Sequence, residues 1–212
     1  MDKVIENNNS IQKIGIMGGT FNPIHNGHLL IADYAREEYN LSQVLFLPTG
    51  HSPHKLKQQI TPASQRCDMI TLAIQDNPFF ALELMEVEEE RISYTYLTLP
   101  KLKEKYGNAE LYFMLGADSL FDIEYWKEPG KILTSCNGLA AYREDKRELD
   151  FMKQISYLNE KYHAHIYPLH MPCFDVSSSN IRSRVNHNLS IRYLVPKEVA
   201  DYIYTNKLYQ ES

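Results

Sequence analysis

Residues 18–28 read GGTFNPIHNGH, and this stretch decides the fold of the chain. It follows an apolar run at residues 13–17 (KIGIM) that predicts a buried strand. Apolar residues then recur at helical spacing through residues 28–39. Two adjacent glycines let the backbone between strand and helix turn sharply and approach a ligand closely. The stretch therefore predicts the first strand, loop and helix of an α/β sheet, with a ligand at the loop.

Two histidines give this loop its chemistry. His25 and His28 are three positions apart, so they share one face in the first turn of a helix. A helix N-terminus offers unpaired N–H groups and a partial positive charge, which suit a phosphate. Imidazoles placed there can stabilise charge as it develops on phosphate oxygens. The spacing matches neither GxGxxG nor GxxxxGK[ST], which disfavours a standard dehydrogenase and a P-loop kinase.

Strand and helix patterns alternate along the rest of the chain. Further strands are predicted at residues 44–47, 79–84, 111–115, 139–142 and 165–169. Further helices are predicted at residues 62–75, 95–106, 149–162, 178–186 and 196–204. The order predicts an α/β fold with a Rossmann-like parallel sheet, helices on both faces and a small C-terminal helical part from Ser178. We expect one domain over residues 1–212, with residues 1–11 as a flexible extension.

Composition limits the partners. The chain has 212 residues, of which 43% are hydrophobic, and this fraction excludes disorder for the bulk of the chain. Its net charge of −5 disfavours binding to a nucleic acid polymer or an anionic membrane. Cys67, Cys136 and Cys173 are odd in number and far apart, which argues against disulfides. With a polar N-terminus and no long apolar run, we expect a cytoplasmic protein.

The loop carries a family resemblance. His25-Asn26-Gly27-His28 is similar to the (H/T)-x-G-H motif of the nucleotidyltransferases, and GGTFNPIHNGH resembles the bacterial nicotinate-nucleotide adenylyltransferases. The resemblance extends over residues 13–208. It implies transfer of AMP from ATP to nicotinate mononucleotide, with nicotinate adenine dinucleotide and pyrophosphate as products. Mg²⁺ is expected to bind with ATP through substrate oxygens, without a dedicated protein site.

Residues 177–182 (SSSNIR) are the second nucleotide element. Taken alone they fit an N-cap followed by a surface arginine, or an anion site in which Arg182 forks onto phosphate oxygens. They resemble the family's S-S-T-x-I-R motif, which implies that Ser178, Ser179 and Arg182 hold the triphosphate. Ser179 replaces the family's Thr and keeps its hydroxyl. Gly116 and Asp118 (GADS) follow the fourth strand and resemble the family's nucleotide-binding G-x-D element.

Three further residues are candidates for the acceptor substrate. Lys55 lies in a loop whose SPHK sequence resembles the family's P-H-K element, and a lysine there is either solvated or a phosphate partner. Thr95 belongs to a family-like S-Y-T element that opens a helix near the pyridine ring. Trp126 is the single tryptophan, and it fits either a core position or stacking on that ring.

The resemblance assigns roles to these candidates. The expected catalytic residues are His25, His28 and Arg182. The expected ATP-binding residues are Gly18, Gly19, Thr20, Phe21, His25, His28, Gly116, Asp118, Ser178, Ser179 and Arg182. The expected acceptor-binding residues are Lys55, Thr95 and Trp126, and no metal-ligand cluster is evident.

Two alternatives stay open. One is another adenylyl- or cytidylyltransferase of the same superfamily, such as one that acts on phosphopantetheine, and the other is a nucleotide-binding module without turnover. The S-Y-T element and Trp126 argue against the first. The second is disfavoured by the complete set of His25, His28, Ser178, Ser179 and Arg182. The sequence leaves homo-oligomerisation and the role of Arg143 open.

Overall fold

The computed structural model describes residues 11–51, 60–89, 92–143, 148–172 and 174–210. Its centre is a parallel sheet of six strands in the order β3-β2-β1-β4-β5-β6. The strands are β1 (Lys13–Gly19), β2 (Gln43–Pro48), β3 (Phe80–Leu82), β4 (Glu110–Gly116), β5 (Asn137–Arg143) and β6 (Ile166–Met171). The helices are α1 (Asn26–Glu38), α2 (Ala63–Ile74), α3 (Thr95–Tyr106), α4 (Ala117–Asp122), α5 (Pro129–Ser135), α6 (Glu148–Tyr162), α7 (Ser178–Asn186) and α8 (Lys197–Thr205).

Helices cover both faces of the sheet, as the sequence predicts. Side chains alternate along each strand, so Ile14 and Ile16 face one layer and Met17 the other. The first layer contains buried residues of α3, α4, α5 and α6, and the second contains those of α1, α2, α7 and α8. Burial on both faces explains why β1, β2 and β4 read as near-continuous apolar runs. The predicted Rossmann-like fold is confirmed.

Two details differ from the sequence prediction. The third strand is expected over residues 79–84 but covers only Phe80–Leu82. The backbone N–H of Glu83 still donates to the carbonyl of Phe46 in β2 at 2.9 Å, and beyond it the Glu83 carboxylate accepts the backbone N–H of Met85 at 3.2 Å in a local turn. The sequence prediction also lacks α4 and α5, which have six and seven residues and are too short to show a helical period.

The order of the strands sets the position of the site. β1 pairs with β2 on one side and with β4 on the other, and the carboxyl ends of these strands meet at one edge. Ligands of open parallel sheets bind at such a point, where the strand order reverses. The loop of residues 18–28 leaves β1 at this edge.

The predicted C-terminal helical part packs beside this edge. α8 packs against α2, and the hydroxyl of Tyr202 donates to Asp68 Oδ2 at 2.7 Å. The backbone N–H of Asn26 donates to the carbonyl of Leu194 at 2.9 Å, which joins the start of α1 to the segment between α7 and α8. Of the expected N-terminal extension, residues 1–10 lie outside the described residues. No helix in the described ranges has the length and apolar character needed to cross a bilayer.

Candidate active site

The two histidines lie together at the start of α1. His25 is the N-cap, with an extended backbone (φ −150°), and His28 lies in the first turn. Their rings are stacked, with 3.7 Å between centroids and 22° between planes. The backbone N–H of His25 donates to Nδ1 of His28 at 3.2 Å. Because Nδ1 accepts this bond, neutral His28 carries its proton on Nε2, where it can donate to a ligand.

Glycine at position 27 is explained by this stack. A Cβ at Gly27 would lie 3.1 Å from Nδ1 and 3.2 Å from Cε1 of His25, closer than ordinary van der Waals contact. Any side chain here would therefore press on the His25 ring. The glycine of the H-x-G-H motif is therefore required by the position of the His25 ring in this chain.

The buried ring of Phe21 packs against His28 of this pair. The Phe21 ring is 2% exposed and meets His28 edge-on, with 4.9 Å between centroids. A Cβ at Gly19 would be 3.3 Å from the Phe21 ring, so the glycine lets the ring lie against the backbone. The structure therefore places the Phe21 side chain in the core beneath the histidines, and only its backbone remains for a ligand.

The SSSNIR element docks on the loop after β1. Ser177 caps α7 by accepting the N–H of Asn180 at 3.2 Å. The hydroxyl of Ser178 donates to the carbonyl of Pro23, and Nη1 of Arg182 donates to that of Asn22, both at 2.8 Å. Nη2 of Arg182 also donates to the hydroxyl of Ser179 at 3.4 Å. These bonds bring two motifs that are far apart in sequence to one place.

Gly116 and Asp118 lie at the end of β4, the strand beside β1. Gly116 is exposed, and a Cβ there would meet nothing within 4 Å. Packing therefore does not require the glycine. Asp118 is exposed in the first turn of α4. Both positions are open to a ligand at the carboxyl edge of the sheet.

A cavity of about 310 Å³ joins the nucleotide motif to the predicted acceptor residues. Gly18, Gly19 and Thr20 line it from β1 and the following loop, and Thr95 and Trp126 line it from the other side. Its other lining residues are Leu47, Thr49, Glu86, Ser93, Tyr94, Thr98, Leu99, Phe113, Ser119, Lys127 and Ile132. The predicted substrate residue Lys55 lies outside the described residues.

Trp126 combines the two roles that the sequence left open. Its ring meets Phe113 edge-on, with 6.4 Å between centroids and 76° between planes, and packs against the core layer. It is half-buried and lines the cavity at the same time. The core contact fixes the indole, which leaves part of it available to a planar ligand.

Arg66 is a site residue that the sequence analysis missed. It is 2% exposed, and its guanidinium donates to three carbonyls, those of Thr20 (2.7 Å), Thr49 (2.8 Å) and Thr61 (3.0 Å). Thr20 and Thr49 follow β1 and β2 and line the cavity. Burial lowers the pKa of the Arg66 guanidinium. The signal for its role was its position one turn before Met69 and Ile70, on the apolar face of α2.

The opposite wall of the cavity is fixed by Gly50 and Glu86. A Cβ at Gly50 would be 2.1 Å from the carbonyl oxygen of Glu86, so only glycine fits. The N–H of Gly50 donates to the hydroxyl of Ser93 at 3.2 Å, and Glu86 accepts from the hydroxyl of Thr98 at 2.7 Å. These contacts hold the start of α3 beside the end of β2, where Thr95 faces the cavity.

Within the described ranges, no group of three or more His, Cys, Asp or Glu side chains is placed to hold a metal ion. Cys67 and Cys136 are free thiols, and burial raises the pKa of Cys136 to about 12.

Comparison with known proteins agrees with this geometry. A family model described as cytidylyltransferase-like matches residues 16–184, so fold and site define a nucleotidyltransferase of that class. A protein of Lachnoclostridium phytofermentans named "Probable nicotinate-nucleotide adenylyltransferase" is 42% identical over 199 residues, which cover 94% of this chain and 100% of that protein. A Clostridium botulinum protein of the same name is 37% identical, over 95% of this chain and 100% of that protein. The chain belongs to the nicotinate-nucleotide adenylyltransferase family.

Solved structures show the same fold. The nicotinic acid mononucleotide adenylyltransferase of Plasmodium falciparum, complexed with NaAD, superposes with a TM-score of 0.75. The match covers 93% of this chain and 97% of that one, at 22% sequence identity. At this identity the likeness is one of fold, and it confirms the nucleotidyltransferase type of sheet that the sequence predicts.

Proposed function

We propose that this enzyme transfers AMP from ATP to nicotinate mononucleotide, forming nicotinate adenine dinucleotide and pyrophosphate in the synthesis of NAD. The observation that carries the proposal is the cavity that joins Gly18, Gly19 and Thr20 to Thr95 and Trp126. It offers a place for an acceptor directly beside the nucleotide motif. The name shared by relatives about 40% identical over nearly the whole chain supports the same reaction.

The proposed chemistry is one in-line displacement. A phosphate oxygen of the mononucleotide attacks the α-phosphorus of ATP, the new P–O bond forms, and the bond to the β-phosphate oxygen breaks as pyrophosphate leaves. Phosphate is a competent nucleophile at neutral pH, so no protein nucleophile is needed. The protein has to position the reactants and stabilise the charge on the transferring group.

The histidines and α7 supply this stabilisation. His28 donates through Nε2 to phosphate oxygens, and His25 holds the stacked geometry and the phosphates beside it. Ser178, Ser179 and Arg182 hold the leaving β- and γ-phosphates. Arg182 has five N–H donors, so its two bonds within the protein leave others for oxygens of the triphosphate.

The remaining nucleotide contacts are proposed at the ends of β1 and β4. The backbone of Gly18, Gly19, Thr20 and Phe21 lies along the nucleotide, because glycines permit close approach. The backbone of Gly116 and the carboxylate of Asp118 follow β4 at the same edge, and Asp118 accepts from a ribose hydroxyl.

The acceptor binds in the cavity. Trp126 stacks on the pyridine ring, and Thr95 with the first N–H groups of α3 receives the carboxylate, since a helix N-terminus attracts an anion. Lys55 neutralises the phosphate near the point of attack.

The metal enters with the substrate. Adenylyl transfer from ATP generally uses a divalent ion. We propose Mg²⁺, carried on the triphosphate oxygens with its own water. We further propose that the chain acts as one domain in the cytoplasm. Its net charge of −5 favours small-molecule substrates over a nucleic acid polymer or an anionic membrane.

The test is pyrophosphate release with ATP and Mg²⁺ and three acceptors in turn. We expect release with nicotinate mononucleotide and much less with nicotinamide mononucleotide. Release only with phosphopantetheine would replace this proposal with the alternative transferase. ATP binding without release for any acceptor would indicate a nucleotide-binding module.

A further inference from the structure

The cavity has one cation and one carboxylate among the lining residues that the structure describes. These are Lys127 and Glu86. The two candidate acceptors differ at one substituent of a positively charged pyridine ring. The acid carries a carboxylate, and the amide carries a neutral group of nearly the same shape whose nitrogen donates hydrogen bonds. A cationic side chain beside this substituent would favour the acid through its charge.

A turn before Lys127 and a helix start after it fix the backbone on both sides of this residue. The N–H of Trp126 donates to the carbonyl of Ile123 at 3.1 Å, which closes the turn before it. Glu128 follows in a left-handed conformation (φ 57°) and starts α5, with Pro129 as the first helical residue. Lys127 is therefore held directly beside the indole proposed to stack on the pyridine ring.

The ammonium of Lys127 lies over aromatic rings at the start of α3. Its Nζ is 4.6 Å from the ring centroid of Tyr94 and 5.9 Å from that of Tyr96. Cation–π attraction of this kind is modest, and it holds the ammonium without neutralising its charge. Tyr94 is the N-cap of α3, and Thr95 is its first residue. The side chain therefore brings a full positive charge to the place where Thr95 faces the cavity.

Two positive features thus meet at one end of the cavity. One is the N-terminus of α3, a helix of 12 residues, and the other is the Lys127 ammonium. The carboxylate of Glu86 lies on the same side, because it accepts a hydrogen bond from Thr98 in α3, and the residue is 7% exposed. Glu86 would repel a carboxylate bound beside the start of α3, and among the described lining residues the Lys127 ammonium is the group that attracts one.

We propose that the Lys127 side chain is a specificity determinant that pairs with the carboxylate of the acceptor and favours the acid over the amide. The inference rests on the proposed function and deepens it. Without Lys127, the N-terminus of α3 alone would have to supply the preference for the acid over the amide. Tyr94 and Tyr96 position the ammonium before the acceptor enters.

The experiment compares kcat/KM for nicotinate and nicotinamide mononucleotide in wild type and in Lys127→Met, which keeps much of the side-chain length and removes the charge. For the acid we expect a decrease of about tenfold, mainly through a higher KM. For the amide we expect a change of less than about twofold, because no charge pair is lost. Lys127→Arg should retain most of the preference for the acid.

Lys131→Met is the matched control. Its Nζ also lies over Tyr96, at 5.8 Å, and it pairs with Glu128 at 3.1 Å, but it is not among the described residues that line the cavity. This variant removes the same charge one turn away and should keep the wild-type preference. A general effect of net charge would instead lower the preference equally in both variants.

The outcomes separate this inference from the proposed function. Wild type that releases pyrophosphate with neither mononucleotide overturns both. Wild type that prefers the acid, with the same preference in Lys127→Met, overturns this inference and leaves the reaction in place. An equal loss for both acceptors also contradicts it, since it would assign Lys127 to general positioning.

Discussion

The two halves of the site are built in different ways. In the nucleotide half, His25, Gly27 and His28 are neighbours in sequence, and their stack and hydrogen bond form within one helical turn. The acceptor half is assembled from distant segments, with Thr49 after β2, Thr95 on α3 and Trp126 after α4. A local motif therefore encodes the histidine pair, whereas the acceptor half depends on how the sheet and helices pack, as does the docking of Ser178 and Arg182 on the nucleotide half.

The halves also differ in how far the protein already satisfies their polar groups. Ser178 and Arg182 hydrogen-bond to the loop after β1. The acceptor half leaves an open cavity of about 310 Å³. Substitutions in the nucleotide half should therefore act mainly on kcat, and those in the acceptor half mainly on the KM of the acceptor.

The largest effect is expected at His28. His28→Ala removes the Nε2–H donor, and kcat should fall by at least about 10²-fold, as for loss of one preorganised donor to a transition state. The affinity for ATP should change little. Steady-state pyrophosphate release and ATP binding measure the two quantities. His170→Ala is the control, because His170 is exposed on β6 beside Glu38, and unchanged turnover in His28→Ala would refute the assigned role.

Arg66 tests whether one residue holds both halves. Arg66→Met leaves three partly buried carbonyls without their donors, and the free energy of unfolding should decrease by about 3 kcal/mol. Because Thr20 and Thr49 both line the cavity, kcat should fall and the KM of the acceptor should rise together. Urea unfolding and kinetics give the two readings. Arg192→Met, at an exposed position, should leave both near wild type, and a similarly small effect at Arg66 would contradict the bracing role.

Trp126 should act on the acceptor half alone. Trp126→Ala removes the stacking surface, and the KM for nicotinate mononucleotide should rise by about tenfold. Trp126→Phe keeps an aromatic face and should recover part of the loss. The KM for ATP, measured in the same assay, should stay within about twofold of wild type. A rise in the KM for ATP alone would place Trp126 in the nucleotide half.

The smallest effect concerns Glu83, which follows β3 and contacts the last turn of α3 through Lys105 and Tyr106. Burial raises the pKa of Glu83, but hydrogen bonds from Lys105 and Tyr106 outweigh it and hold the pKa below its usual 4.5. Its stabilisation is therefore complete above that usual value and is lost as pH falls through the lowered pKa in the folded state. Glu83→Gln should lower the free energy of unfolding by about 1 kcal/mol at pH 7.

Urea unfolding at several pH values measures this difference. The gap between wild type and Glu83→Gln should shrink below pH 4.5. A gap that stays constant from pH 7 to pH 3 would contradict the linkage. Glu198→Gln, an exposed position at the start of α8, is the control and should show a smaller difference at every pH.

The contrast between the local histidine motif and the parts of the site assembled by tertiary packing explains what the sequence could predict. Residues 13–28 form their strand, turn and helix through local patterns, so the histidine pair was expected before the structure was known. The core position of Arg66 was missed because an arginine in a helix usually lies in solvent and its three acceptors come from loops far away in sequence. Thr95 and Trp126 were found by resemblance, since no periodicity places them together.

Lys127 is an intermediate case. It is visible in sequence beside Trp126, but its position over Tyr94 depends on the packing of α3 against α5. Similarly, the contacts of Ser178 and Arg182 with the loop after β1 depend on the docking of α7. Tertiary geometry thus decides the acceptor half of the site and the contribution of α7 to the nucleotide half.

We propose that both halves of the site serve one direct transfer, with no adenylyl group on the protein. The most direct test uses ATP with one sulfur at a chosen α-phosphorus position and nicotinate mononucleotide as acceptor. ³¹P NMR of the dinucleotide distinguishes its two diastereomers. One in-line displacement predicts inversion at the α-phosphorus, whereas retention would mean two displacements through a protein-bound adenylyl group, with His25 or His28 as its carrier, and would contradict the account.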